Sequence, residues 1–259
     1  MDALAVSDLV TSVITTRRRL LIQAGGLALL SRVAGAARSE TVLRLARLEN
    51  IPDQYVGGEV LRAAYQRLGI TVEFVDLPAK RALIESSQGR VDGEVHRILA
   101  VQSEFPSLIA VRPSINFIEP SAFVKDRDIR IEGWVSIAPY SIGIVRGVGS
   151  SERGTNGMSR VEAVGTMDQL MQMVASSRVD VAVNDKFSGV LVNKKLRLDT
   201  VVRPLSPPLE HIPLYHFLHE RHRDLVPRVE KVLREMQDSG ELERVRDDAT
   251  LRMLRDAAK

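Results

Sequence analysis

Two copies of Arg-Val-Asp, at residues 90–92 and 178–180, each precede a charge placed five positions after the Asp: Arg97 in the first copy, Asp185 in the second. A guanidinium offers a carboxylate a planar fork of N–H donors, and a carboxylate accepts from an ammonium. Facing one another, the two residues would hold both ends of a zwitterion such as an amino acid. The alternative is ordinary pairing at a strand end, Arg97 with Glu94 and Asp185 with Lys186.

Other constellations point to other chemistry. Asp92 and Glu94, on one strand face with His96, could do acid/base work or make local hydrogen bonds. Four of the five histidines, His211, His216, His219 and His222, fall within twelve residues and invite a metal reading. Pro213 and the extended run LYHFL break the helix that would align them, so no metal is expected. GVGSSERG lacks the Lys-Ser/Thr ending of a phosphate loop, and Ser150 and Ser151 lack a G-x-S-x-G context. No catalytic residue and no cofactor are therefore expected. Trp134, Tyr55, Tyr140 and Tyr215 are candidates to stack on a ligand.

The elements that must position Arg97 and Asp185 follow from periodicity. Residues 41–48 and 70–77 read as strands, with a helix over 53–68 between them that ends at Gly69. Pro78 opens a short helix, and the first Arg-Val-Asp leads into a strand. About five extended residues span roughly 17 Å, so Arg97 reaches the edge of a sheet, where open parallel α/β sheets bind ligands. A second round follows: strands at 140–145 and 161–165, a helix begun by the box Thr166–Gln169, and the second Arg-Val-Asp strand. The methionines near 167–173 form a core stripe with Leu170. Leu225, Val229, Val232, Leu233 and Met236 form one apolar stripe of a C-terminal helix that Gly240 ends. Extended, Pro-punctuated segments near 108–125 and 205–218 would cross between two lobes.

The 259 residues, 44% of them hydrophobic, suffice for two lobes of that size. Lys and Arg number 36 against 33 acids, and the first 36 residues hold four Arg and two acids, so the remainder is nearly neutral. With only 4% aromatic residues and mixed charge throughout, nucleic-acid binding is not expected. The absence of Cys excludes disulfides, thiolate chemistry and a lipid-modified cysteine. TTRRRLLIQAGGLALLSRVAGAA, residues 15–37, has the layout of an export signal: a basic cluster, a modest apolar stretch and Ala34-Gly35-Ala36 for cleavage. Thr16-Arg17-Arg18-Arg19-Leu20-Leu21 resembles the twin-arginine motif. Residues 1–36 are thus expected to be a signal, leaving a periplasmic chain without stable membrane insertion.

From about residue 41 to 250 the chain resembles bacterial extracellular solute-binding proteins of family 3, the amino-acid type. The resemblance is carried by LRAAYQRLGITVEFVDLPAKRAL, GRVDGEVHRI, MDQLMQMVASSRVDVAVNDKFSG and IPLYHFLHERHRDLVPRVEKVLREMQDSGELERV. It implies an α/β, two-lobed type II periplasmic binding fold, each lobe a mostly parallel sheet flanked by helices, joined by two hinge crossings. The expected division is lobe 1 from 37–112, lobe 2 from 113–207, and a return crossing with C-terminal helices of lobe 1 over 208–259. The implied function is capture of a small polar or zwitterionic solute by a monomer that serves an inner-membrane ABC permease. A lyase or dehydratase on the same frame, or a ligand-binding sensory module, is the alternative.

The resemblance also nominates residues. Asp185 falls on the second-lobe aspartate that holds a ligand ammonium, with Asn184 beside it. Arg146 falls on a cleft position ahead of a glycine turn whose N–H groups suit an anion, and Glu49 and Asn50 match a polar cleft position. With Arg97 and Tyr215 these form the expected binding set. One departure stands out: the Thr and the carboxylate-clamping Arg usual beyond the first-lobe Asp are replaced by ILAVQSEFP, residues 98–106. Either Arg97 replaces that clamp or the ligand is not an α-amino acid.

Overall fold

The computed structural model describes residues 41–257. The expected export signal lies outside them.

The chain begins with β1 (Thr41–Leu48), α1 (Pro52–Arg67), β2 (Ile70–Leu77), α2 (Ala79–Ser87), β3 (Gly93–Arg97) and the short α3 (Val101–Glu104). A long β4 (Leu108–Ile118) leads directly into β5 (Pro120–Val124). A 3-10 turn, Trp134–Ile137, precedes β6 (Ile142–Val145), α4 (Gly149–Gly154), β7 (Val161–Val164), α5 (Met167–Ala175), β8 (Val181–Asp185) and α6 (Lys186–Lys195). The short β9 (Arg203–Pro204) and β10 (Ile212–His219) follow, then a 3-10 segment, Glu220–Leu225, and the helices α7 (Val226–Asp238) and α8 (Glu241–Asp256).

These strands make two five-stranded sheets, ordered β2-β1-β3-β10-β4 and β7-β6-β8-β5-β9. In each, three neighbouring strands run parallel, as the βα rhythm requires, and an antiparallel partner follows. That partner is the strand arriving from the other lobe: β10 enters the first sheet against β3, and β5 enters the second against β8. The first crossing falls at Glu119 rather than at residue 113, because Asn116–Ile118 still pair with Leu214–Ile212 in the first sheet. The return falls after Leu209, whose N–H donates to Pro120 O.

Each lobe has its own core. In the first, Leu43, Leu45, Val60, Leu61 and Tyr65 pack with Val229, Val232, Leu233 and Met236, the stripe expected of the C-terminal helix. Burying such side chains contributes about 1.5–3 kcal/mol each, which fixes α7 on the sheet. In the second lobe, Phe123, Leu170, Met171 and Val174 form the layer between sheet and helices, so the methionine stripe is core. Thr166 caps α5 through a bond from the Gln169 N–H, while the Gln169 side chain accepts from Gly165 N rather than from Thr166. The last helix, α8, packs on both α1 and α6 and so touches both lobes.

Candidate functional site

Between the two sheets lies a cavity of about 410 Å3. Arg97 ends β3 on its first-lobe wall, and Asp185 ends β8 on its second-lobe wall, with Asn184 and Ser188 beside it. Matched distances from the two Arg-Val-Asp copies thus place opposite charges on one cavity. Leu48, Ile51, Ile98, Ile118, Ile212 and Leu214 supply aliphatic lining.

Both strand-end charges are also paired locally. Arg97 Nε donates to Glu94 Oε2 at 2.7 Å and Nη2 donates to Ala79 O at 3.1 Å. A guanidinium has five N–H donors, so three remain for a ligand. Glu94 is 0% exposed, and burial raises its carboxyl above the usual range against the pull of Arg97 and Ser86. Ser86 Oγ donates to it at 2.7 Å. Asp185 Oδ2 accepts from Ser188 N at 3.0 Å, capping α6, and Oδ1 accepts from Glu119 N at 3.0 Å. Burial raises its carboxyl too, while these bonds oppose the rise. Each oxygen retains a lone pair for a further donor.

Asp53, Gln54, Arg153 and Ser188 of the cavity escaped the sequence reading, and His96, read there only as a possible acid/base partner of Asp92 and Glu94, was not expected to line it. Asp53 and Gln54 enter because Asn50 takes a left-handed conformation (φ 58°), turning the chain so that the first turn of α1 faces the cavity. Pro52 at the helix start was the available signal, since it marks the N-terminal turn at the end of a parallel strand. The same turn leaves Glu49 and Asn50 exposed and off the cavity wall.

His96 is held neutral. Its Nδ1 accepts from Gln54 Nε2 at 3.1 Å, its Nε2 donates to Asp53 O at 3.1 Å, and burial presses it down to about 4. Asp53 is 8% exposed, and burial, with the Asp185 carboxylate adding to it, pushes its carboxyl up to about 7. Two like charges from opposite lobes therefore meet where Arg97 and His96 also stand.

The remaining expected residues lie elsewhere. Arg146 is exposed, and its Nη2 reaches Ala163 O at 3.3 Å. The Gly147 N–H in the expected anion turn is occupied by Glu152 Oε1 at 2.7 Å, although Gly147, Val148, Gly149 and Ser150 do line the cavity. Tyr215 pairs with Arg97 across β10 and β3, and its ring lies 5.6 Å from the Arg112 guanidinium, off the cavity wall. Asp92 precedes β3 and turns away to Arg44 N, Arg221 and His222, so it does not join Glu94 and His96. Of the clustered histidines, His216 is buried between Tyr65 Oη at 2.8 Å and Glu94 O at 2.7 Å, and His211 stacks on Phe117.

No protein-family model matches the chain. A curated relative, an uncharacterized protein of Shewanella oneidensis, is 22% identical over 192 residues, which are 72% of each chain. Among solved structures, a histidine kinase sensor domain with similarity to periplasmic binding proteins superposes with a TM-score of 0.61 at 18% identity, over 81% of this chain and 95% of its own. The probable amino-acid ABC transporter extracellular-binding protein of Bacillus subtilis gives 0.65 at 16% identity, over 80% and 96%. An ancestral amino-acid-binding protein described as a precursor of cyclohexadienyl dehydratase gives 0.61 at 16%, over 81% and 95%. The fold is the two-lobed type II periplasmic-binding-protein fold, shared by amino-acid-binding transport proteins and by sensor domains.

Proposed function

We propose that the chain is a periplasmic solute-binding protein that captures a small polar or zwitterionic, amino-acid-like solute and delivers it to an inner-membrane ABC permease. The observation that carries this reading is the shared cavity of Arg97 and Asp185, one from each lobe. A ligand carboxylate takes the three free N–H groups of Arg97, and a ligand ammonium takes the remaining lone pairs of Asp185. Because the two charges belong to different lobes, a bridging ligand ties the lobes together, and closure is coupled to capture. The aliphatic lining then excludes water and strengthens both contacts. The sequence pattern at residues 15–37 supports a periplasmic address.

Calorimetry against amino acids, amines and organic acids tests this. Removing one partner of a desolvated charged contact costs about 2–5 kcal/mol, so Arg97→Ala and Asp185→Ala should each lose most of the affinity. Wild-type binding by both variants defeats the assignment.

Asp53 favours a second reading, a lyase on the same frame. A carboxyl raised to about 7 inside a ligand cavity has the proton needed by a general acid near neutral pH. Turnover of a small carboxylic acid by the purified chain, abolished in Asp53→Asn, would establish it; an inert one-to-one complex would exclude it for that acid.

A further inference from the structure

Behind the Asp53 and Asp185 carboxylates the described residues form a second chamber, of about 270 Å3. Its walls are the first turns of α1, the crossing at Asn116–Glu119, the start of α6, and α8. It shares Asp53 and Asp185 with the cleft cavity and nothing else. Phe117, Phe187, Val190 and Leu254 make most of it apolar.

Each cation on this wall has a neighbour of its own at ion-pair range: Lys186 Nζ stands 3.9 Å from Glu119, and the Arg246 guanidinium lies 4.7 Å from the Phe117 ring and 4.0 Å from Glu243. Asp53 has no charged neighbour at that range among the described residues, since His96 beside it is neutral. Although 8% exposed, its carboxylate receives a hydrogen bond from its own backbone N–H and from no other donor among the described residues. His96 Nε2 stands 3.6 Å from Oδ2, beyond bonding range, and donates to the Asp53 carbonyl instead. A largely buried carboxylate with no donor from another residue is costly, and the space beside it is open. Asp247 adds a second negative group at the rim.

We propose that this chamber is a second ligand site, separate from the cleft cavity, for an organic ammonium ion with a compact apolar body. The ammonium sits on Asp53, and the body packs on Phe187, Val190 and Leu254. The site takes walls from both lobes and from α8, so its occupant holds the lobes in this arrangement. It stands whether or not the cleft takes an amino acid.

Methyl NMR of the chain titrated with phenethylammonium chloride tests it. The expected result is saturable shifts of the Val190 and Leu254 methyls with those of Leu48 and Met167, which line only the cleft, unmoved. The anionic isostere 3-phenylpropionate should leave all four in place. Val190→Trp, which fills the chamber, and Asp53→Asn should each weaken binding at least tenfold, while Met167→Trp leaves it within twofold. If Val190→Trp does not fold, Leu254→Trp closes the chamber from the opposite wall, and the wild-type shifts decide independently. No saturable shift, equal response to 3-phenylpropionate, or shifts centred on Leu48 and Met167 overturns the proposal.

Discussion

Arg97 Nε lies 2.7 Å from Glu94 Oε2, and that carboxylate is wholly buried at the foot of the cleft. The ion pair sets the direction of the guanidinium, so the proposed ligand would meet an arginine already oriented by its own strand. Removing Arg97 leaves the buried Glu94 carboxyl with Ser86 Oγ as its remaining donor and no counter-charge, and breaking a buried pair in this way costs about 3–5 kcal/mol. Arg97→Ala should therefore lower stability in urea unfolding by that order, and Glu94→Gln/Arg97→Ala should be less costly than the single change. The double variant is also the cleaner binding control, since it removes the guanidinium without stranding a charge.

Two histidines on one side, and on the other Asp53 with the raised carboxyls of Glu94 and Asp185, give stability an opposed pH dependence. His96 and His216 are held near 4, below the ordinary 6.5, so the folded chain resists protonating them. Their contribution is complete above about 6.5 and is lost as pH falls towards 4. Asp53, near 7 against an ordinary 3.8, acts in the other direction: folding favours its protonated form, so its contribution weakens as pH rises from about 4 to 7. Acidification from pH 7 to 5 should destabilise the wild type, and Asp53→Asn should steepen that loss by removing the offset. Urea midpoints at the two pH values measure both.

Gly57 has a packing reason to be glycine. A Cβ there would collide with the His96 imidazole and press on Val95. Gly57→Ala would gain about 1 kcal/mol of helix propensity, but overpacking costs about 1–3 kcal/mol. The net effect should be destabilising, with His96 displaced into the cavity and solute affinity reduced. Thermal unfolding and calorimetry on the one variant check both parts.

Asp185 carries a structural duty besides its place on the cavity wall. Losing an N-cap acceptor costs about 0.5–2 kcal/mol, so Asp185→Ala should lower stability by that much without any ligand present. Asp185→Asn keeps one oxygen for the Ser188 N–H and should recover part of the stability. Unfolding of the two variants side by side separates the cap from the contact with solute.

Much of this architecture was legible because it repeats simple periods. The strands at 41–48 and 70–77, the α7 stripe and the cap at Thr166 follow from alternation, helical spacing and side-chain chemistry. The matched charges were legible for a similar reason: a strand is a ruler, and two equal lengths after the same tripeptide end at corresponding edges. Asp53 and Gln54 were not, nor was the place of His96 on the cavity wall, because their entry depends on one left-handed residue, Asn50, and on a ring buried against Gly57. Neither has a period. Arg146 misled because its position beside a glycine turn is right while its side chain is directed to Ala163 O. The place of the first crossing was hidden as well, since a strand that changes sheets keeps the same extended pattern on both sides of Glu119.

Trp134 is the sole tryptophan of the chain. Its indole rests against Gly154 of α4, where any Cβ would collide with it, and its Nε1 donates to Glu210 Oε2 at 3.1 Å on the return crossing. The loop leading into α4, Gly147–Gly149, and Arg153 within it face the cleft. The chain thus carries a built-in optical gauge: one fluorophore, wedged between the end of α4 and the return crossing, should change its emission if either shifts, so that the proposed capture could be timed by stopped flow without any label.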